Sequence, residues 1–250
     1  MNDTIALQMY TLRNETAQDF AGTLREVAAL GYGAVELAGM GSYTAEALRT
    51  ELDMLGLRCS GAHVPIERLR GDLETVIAEV LALGGRYVIC PYLSVEQRGD
   101  ATAYRNLAAE FNPIGARCAA SGLILAYHHH DFELEAMDGS TGLHILRDNT
   151  EPQHMTFEID IYWAKAAGFD PVALLGEFAG RVQLVHLKDM TAGDQPTFAE
   201  VGHGTLDIPA VIAAAEAAGA QQLVVEQDAC QRPPIESVRM SREYLHSIGR

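Results

Sequence analysis

Ala126-Tyr127-His128-His129-His130-Asp131-Phe132-Glu133 places three imidazoles and two acids just after the apolar triplet Leu123-Ile124-Leu125. Side chains on a strand alternate faces, so His128 and His130 share one face and His129 points the other way. Two imidazoles side by side at a strand end make a poor core and a good site for metal binding or proton transfer. Taken alone, the run also reads as a solvated loop. Three later motifs add to it: Glu158-Ile159-Asp160, His186-Leu187-Lys188 and Glu226-Gln227-Asp228. Glu158 and Asp160 face the same way, as do His186 and Lys188. Mixed imidazole and carboxylate donors suit Mn, Zn, Co or Fe, whereas carboxylates alone favour Mg.

Positioning such side chains requires elements that end near one another. Eight short apolar runs read as strands: Ile5–Met9, Ala34–Leu37, Arg58–Val64, Tyr87–Pro91, Leu123–His128, Met155–Ile159, Val182–Leu187 and Leu223–Glu226. Their spacing fits one strand, one helix and two loops per unit. Helical periodicity fills the gaps. Phe20, Leu24, Val27 and Ala28 fall on one face, as do Leu73, Val76, Ile77, Val80 and Leu81, with Thr44 and Asp72 well placed as N-caps. Leu30-Gly31, Leu55-Gly56, Leu83-Gly84, Ser121-Gly122, Ala179-Gly180 and Ala218-Gly219 each close a helical run, glycine suiting the left-handed C′ position. Eight such units in 250 residues, with strands apolar on both faces, predict a single α/β domain over residues 1–250, a closed (β/α)8 TIM barrel. No Gly-rich phosphate loop follows the first strand, which weakens a nucleotide-binding sheet. In this barrel, catalytic groups sit at the C-terminal strand ends. Those ends carry Gln8, Glu36, His63, the histidine run, Glu158 with Asp160, His186 with Lys188, and Glu226 with Asp228.

The formal net charge of −16 opposes long-range attraction of a polyanion, so nucleic acid is not an expected partner. Cys59, Cys90, Cys118 and Cys230 form no CxxC pair and read as reduced thiols. Met1-Asn2-Asp3-Thr4 runs into a strand pattern with no basic and apolar leader, and no apolar stretch is long enough to span a bilayer. A cytoplasmic protein without a membrane partner is the expectation, and self-association into a homo-oligomer stays open.

These motifs, together with Glu158-Ile159-Asp160-Ile161-Tyr162-Trp163, His186-Leu187-Lys188-Asp189-Met190, Glu200-Val201-Gly202-His203-Gly204-Thr205-Leu206-Asp207 and Val225-Glu226-Gln227-Asp228, make the chain resemble the sugar phosphate isomerase/epimerase family of xylose isomerase-like barrels. The resemblance covers essentially the whole chain and specifies the family, not one reaction. It implies one divalent ion (Mn, Zn, Co or Mg) held by Asp160, His186 and Glu226. The fifth strand departs from the family. Where members such as ketose epimerases and dehydroshikimate dehydratases carry a ligand Glu, this chain offers His128. Either His128 ligates, or Glu158 moves in, or three protein ligands and water complete an open site.

The chemistry implied is proton abstraction beside a carbonyl of a sugar or polyol-derived ketone. Returning the proton to the neighbouring carbon gives an isomerase, and returning it to the opposite face gives an epimerase. Loss of a β-substituent gives a dehydratase or lyase. The isomerase/epimerase is the expected activity, with the dehydratase or lyase as the alternative. His130, Glu158 and Lys188 are the candidate acid/base groups. His63, Trp163 and Glu36 are the candidate contacts to a small carbohydrate substrate. The loop Glu200–Gly204 reads either as part of the mouth or as a plain turn. Two rivals share the fold: an endonuclease IV-like repair enzyme, which the net charge and missing extra ligands oppose, and a sugar-binding barrel without chemistry.

Overall fold

The computed structural model describes residues 5–250, so the Met1–Thr4 lead-in lies outside the described residues. Short runs rich in Val, Ile, Leu and Ala cannot leave either face in water, and pairing them in parallel buries both. They form β1 (Ile5–Gln8), β2 (Ala34–Leu37), β3 (Arg58–His63), β4 (Tyr87–Cys90), β5 (Ile124–His128), β6 (Met155–Asp160), β7 (Val182–Leu187) and β8 (Gln222–Val225). Their hydrogen-bonded order, β1-β8-β7-β6-β5-β4-β3-β2, closes a barrel in which every pair is parallel. The expected (β/α)8 architecture is the observed one, and strand bounds differ from the apolar runs only at their ends.

Helices wrap the outside. The helix Phe20–Ala29 buries Thr23, Leu24 and Val27, and the helix Leu73–Ala82 buries Val76, Ile77 and Val80. Leu81, expected on the buried stripe, is 48% exposed, so that stripe is narrower than the sequence implies. Thr44 caps the helix Ala45–Leu55 by accepting from the Ala47 N–H. Asp72 occupies a cap position without making the backbone cap hydrogen bond, and its carboxylate pairs with Arg68 at 3.0 Å. All six helix-closing glycines adopt φ between 68° and 104°, where a Cβ would be strained. The four cysteines are free. No helix among the described residues is long and apolar enough to cross a membrane.

The main core lies between barrel and helices, where Leu7, Val35, Leu125, Phe157 and Leu187 meet Leu24, Leu48, Phe111 and Leu175. Inside the barrel the apolar clusters are small: Ala6, Ala34 and Val224, and Tyr87, Ile89, Ala126 and Leu184. The alternation of strand faces decides what comes next. Two residues beyond Ala6, Ala34, Ala126, Leu184 and Val224 stand Gln8, Glu36, His128, His186 and Glu226, so the inward-facing positions turn polar at the C-terminal ends.

Candidate active site

Register brings the polar ends together. Gln8 pairs with Glu36, His128 with Glu158, and Asp160 with His186. A cavity of about 670 Å³ opens above them, lined by His63, His128, His130, Lys188, Glu226 and Asp228, with Tyr10, Pro91 and Tyr92 at its wall. Asp160 and His186 lie behind this lining, both fully buried.

Asp160 is fixed from several directions. Its Oδ1 accepts from the N–H groups of Tyr162 and Trp163, capping the helix Ile161–Ala166. Its own N–H donates to Nε2 of His129 at 3.1 Å, and His129 Nδ1 lies 2.8 Å from the His130 carbonyl. His129 therefore points away from its neighbours, as the alternation requires, and ties the end of β5 to the end of β6. Asp160 Oδ2 is left free to face His128 Nε2 at 3.1 Å, Lys188 Nζ at 2.9 Å and His186 Nδ1 at 3.8 Å.

His186 stands at the centre. Its Nδ1 is 2.8 Å from Glu226 Oε2, and its Nε2 is 2.9 Å from Glu36 Oε1 and 3.2 Å from Glu158 Oε2. Lys188 Nζ lies 2.6 Å from Glu226 Oε2 and 2.7 Å from Asp228 Oδ1. Burial would strip charge from all these groups, yet their neighbours outweigh it. Asp160 is held below the usual carboxylate range by Lys188 and His186, and Glu226 is held low by the same two. Lys188 and His186 are correspondingly raised. Burial prevails at Asp228, pushed up to about 6 against the pull of Lys188. It prevails also at His128 and His130, driven well below the usual histidine range by burial and then by the nearest imidazole.

One ligand atom each from His128, Asp160, His186 and Glu226 lies within 4.8 Å of all the others. Ligand atoms about 2.1 Å from an ion sit about 3.0–3.4 Å from one another in octahedral or tetrahedral shells. His186 Nδ1 is buried and makes no well-directed hydrogen bond although Glu226 Oε2 lies 2.8 Å away, and that oxygen is shared with the Lys188 ammonium at 2.6 Å. Four buried nitrogen and oxygen donors converging at this spacing fit a divalent ion, so this set could hold one. Zn, Mn or Co suits the mixed donors.

The other sequence candidates are distributed unevenly. His130 and His63 reach the cavity. Trp163 packs 5.3 Å from the His130 ring, with Lys188 Nζ 6.0 Å from its own ring. Glu36 and Glu158 are fully buried beneath the cavity. Glu36 accepts from Gln8 Nε2 at 2.8 Å and contacts His63 and His186, and Glu158 meets the same two histidines. The 200–204 loop is not a ligand cradle. Asp189 accepts from the N–H groups of Met190, Gly202, Gly204 and Leu206, and a Cβ on Gly204 would stand 2.3 Å from the Asp189 carboxylate. Its glycines admit Asp189 and Tyr244, not substrate.

Asp228, Tyr92 and Glu133 join the site without an assigned role in the sequence pattern. Asp228 follows Glu226 at strand spacing, a signal that was available. Tyr92 meets the His130 ring edge-on, and nothing in the sequence marks it. Glu133 is fully buried, accepts from Tyr127 Oη at 2.5 Å and the His130 N–H at 2.7 Å, and fixes the turn that carries His130.

A family model for the xylose isomerase-like TIM barrel matches residues 24–248. The chain belongs to that family. An inosose dehydratase from Geobacillus kaustophilus is 25% identical over 90% of this chain and 86% of its own length. A sugar phosphate isomerase/epimerase structure from Parabacteroides distasonis superposes with a TM-score of 0.85 at 23% identity, covering 100% of this chain and 96% of that one. The IOLI protein with a binding zinc atom gives a TM-score of 0.74 at 13% identity, covering 98% and 97%. Family barrels at such low identity share the architecture, so the reaction must be argued from this chain's side chains.

Proposed function

We propose that this family member is a divalent-metal-dependent enzyme that removes a proton beside the carbonyl of a cyclic polyol ketone or keto-sugar and expels the β-hydroxyl as water. The observation that carries the reading is one juxtaposition on the cavity wall. The Lys188 ammonium touches Asp160, Glu226 and Asp228, and Lys188 and His130 line the same cavity. A proton donor and a proton acceptor thus flank the set His128, Asp160, His186 and Glu226. An ion bound there would polarise the carbonyl and stabilise charge on its oxygen. His130 takes the α-proton. Lys188 gives a proton to the departing hydroxyl, so a C–H and a C–O bond break, a C=C bond forms and water leaves. Asp228 holds Lys188 in place, and Trp163 offers an aromatic wall to the sugar ring. The dehydratase name of the Geobacillus relative supports this reading, as does the zinc in the IOLI structure.

The isomerase/epimerase reading shares the first step and differs in where the proton returns. It is favoured by the hold of three carboxylates on Lys188, which keeps the ammonium charged and opposes protonation of a leaving hydroxyl. Incubating Mn-loaded protein in D2O with a panel of ketoses, keto-sugars and inososes separates the two. Dehydration predicts a conjugated enone with loss of the β-hydroxyl. Deuterium gained at one carbon without enone supports the isomerase/epimerase. No exchange and no enone with any carbonyl substrate would overturn both.

A further inference from the structure

Beneath the first ligand set, on the far side of the His186 ring, lies a second one. One ligand atom each from Glu36, His63, Glu158 and His186 lies within 4.8 Å of all the others. His63 Nε2 is 3.1 Å from each of the two carboxylates. Glu36 Oε2 and Glu158 Oε1 are buried with no hydrogen-bond partner at all. Both glutamates sit at irregularities of the barrel. The β2–β3 register shifts between Val35 and Glu36, and the β6–β7 register shifts between Phe157 and Glu158. Such shifts re-aim side chains.

Charge balance makes this cluster depend on the first. Among the described residues, Glu36 and Glu158 form ion pairs only with His63 and His186, never with a lysine or arginine. An imidazole that gives Nδ1 to an ion carries at most one proton, on Nε2, and is then neutral. With Nδ1 turned to the first set, His186 offers the two glutamates a single N–H at Nε2. Two fully buried carboxylates are left facing one histidine, an arrangement costly in a low-dielectric interior. The upper set has its own balance, since Asp160, Glu226 and Asp228 offset Lys188 and one divalent ion. The lower set reaches neutrality with one divalent ion of its own.

We propose that Glu36, His63 and Glu158 hold a second divalent cation, with His186 directing its remaining N–H to Glu36 between the two ions. The 3.1 Å spacings match those of a coordination shell. Three protein ligands leave a position open, and His63, which lines the cavity, marks where it would face. The inference rests on the first ion binding as described above.

The test is metal stoichiometry. The full chain is stripped with a chelator, dialysed against zinc alone, and its zinc measured by mass spectrometry beside a cobalt-loaded sample read by visible absorption. Wild type should hold two ions per chain. Glu36→Gln and His63→Gln should each hold one, with the cobalt spectrum losing one component. Circular dichroism checks that the variants fold, and the wild-type count decides the matter even if one does not. One ion in wild type overturns this second site and leaves the first intact. Two ions in wild type and still two in both folded variants places the extra ion elsewhere and equally overturns it. No ion in wild type sinks the metal-dependent reading itself, and this inference with it.

Discussion

Lys188 is the residue on which the site's charge turns. A fully buried ammonium persists only because Asp160, Glu226 and Asp228 surround it within 2.9 Å. Asp160 and Glu226 also belong to the proposed ion's ligand set, so ammonium and ion share two oxygens. Removing one partner of a buried charge cluster typically costs about 3–5 kcal/mol. Lys188→Met should therefore lower the melting temperature markedly in chelator, and zinc should restore much of the loss by replacing the missing positive charge. Thermal unfolding with and without zinc measures this, and an equal loss in both conditions would show that ammonium and ion do not share those oxygens. The identities of such residues were legible beforehand, because imidazole and carboxylate at strand spacing announce chemistry. Their division of labour was not. Glu36 and Glu158 look like cavity residues in a string of letters, yet lie one layer below it, because depth along the barrel axis depends on the stagger between strands.

At the scale of elements, the ends of β5 and β6 act as one unit. His129 takes the Asp160 N–H and holds the His130 carbonyl, so a side chain that points away from the cavity sets the position of a proposed metal ligand. His129→Ala should leave that N–H unsatisfied at a cost of about 1–3 kcal/mol and weaken zinc binding about 10–100-fold. Calorimetric titration with zinc reads the second effect, and unchanged affinity would reject the positioning role. Glu133 supports the same segment. Burial pushes its carboxyl up to about 8 from an ordinary 4.5, against the hydrogen bonds from Tyr127 and the His130 N–H. The folded chain then binds more protons than the unfolded chain between those values, so this group's contribution to stability falls as pH rises from about 4.5 to about 8 and is flat above. Glu133→Gln should remove this group's share of the fall in melting temperature with pH in that window, leaving the share that belongs to Asp228 and the buried histidines. A slope unchanged in the variant would assign it to other groups. Neither role was readable from sequence. His129 was expected only to face away, and Glu133 lies five residues beyond the strand end, tied to it by a fold-back turn.

For the whole molecule, an ion that binds only the folded barrel stabilises it by mass action. At a free concentration of about 1,000 times Kd the gain is about 4 kcal/mol, or roughly 10 °C in a chain of this size. Chelation should reverse that shift, and a melting curve indifferent to both zinc and chelator would contradict a metal centre. The excess of acids, −16 overall, attracts cations toward a mouth lined by Glu226 and Asp228, so cobalt uptake followed by stopped flow should slow as salt is raised. What the sequence determined by itself was the architecture and the face on which chemistry sits. Strand and helix periods are local properties, glycine marks each helix end, and the alternation of side chains forces His128, Asp160, His186 and Glu226 inward once the sheet closes. What only the tertiary structure decided was grouping. Barrel closure and strand stagger place His186 between two groups of side chains that could each hold an ion, set Lys188 against the oxygens of one, and leave Glu36 and Glu158 in the other with no lysine or arginine among the described residues. Those relations join residues as far apart as Glu36 and His186, and no local pattern encodes a distance across a closed barrel.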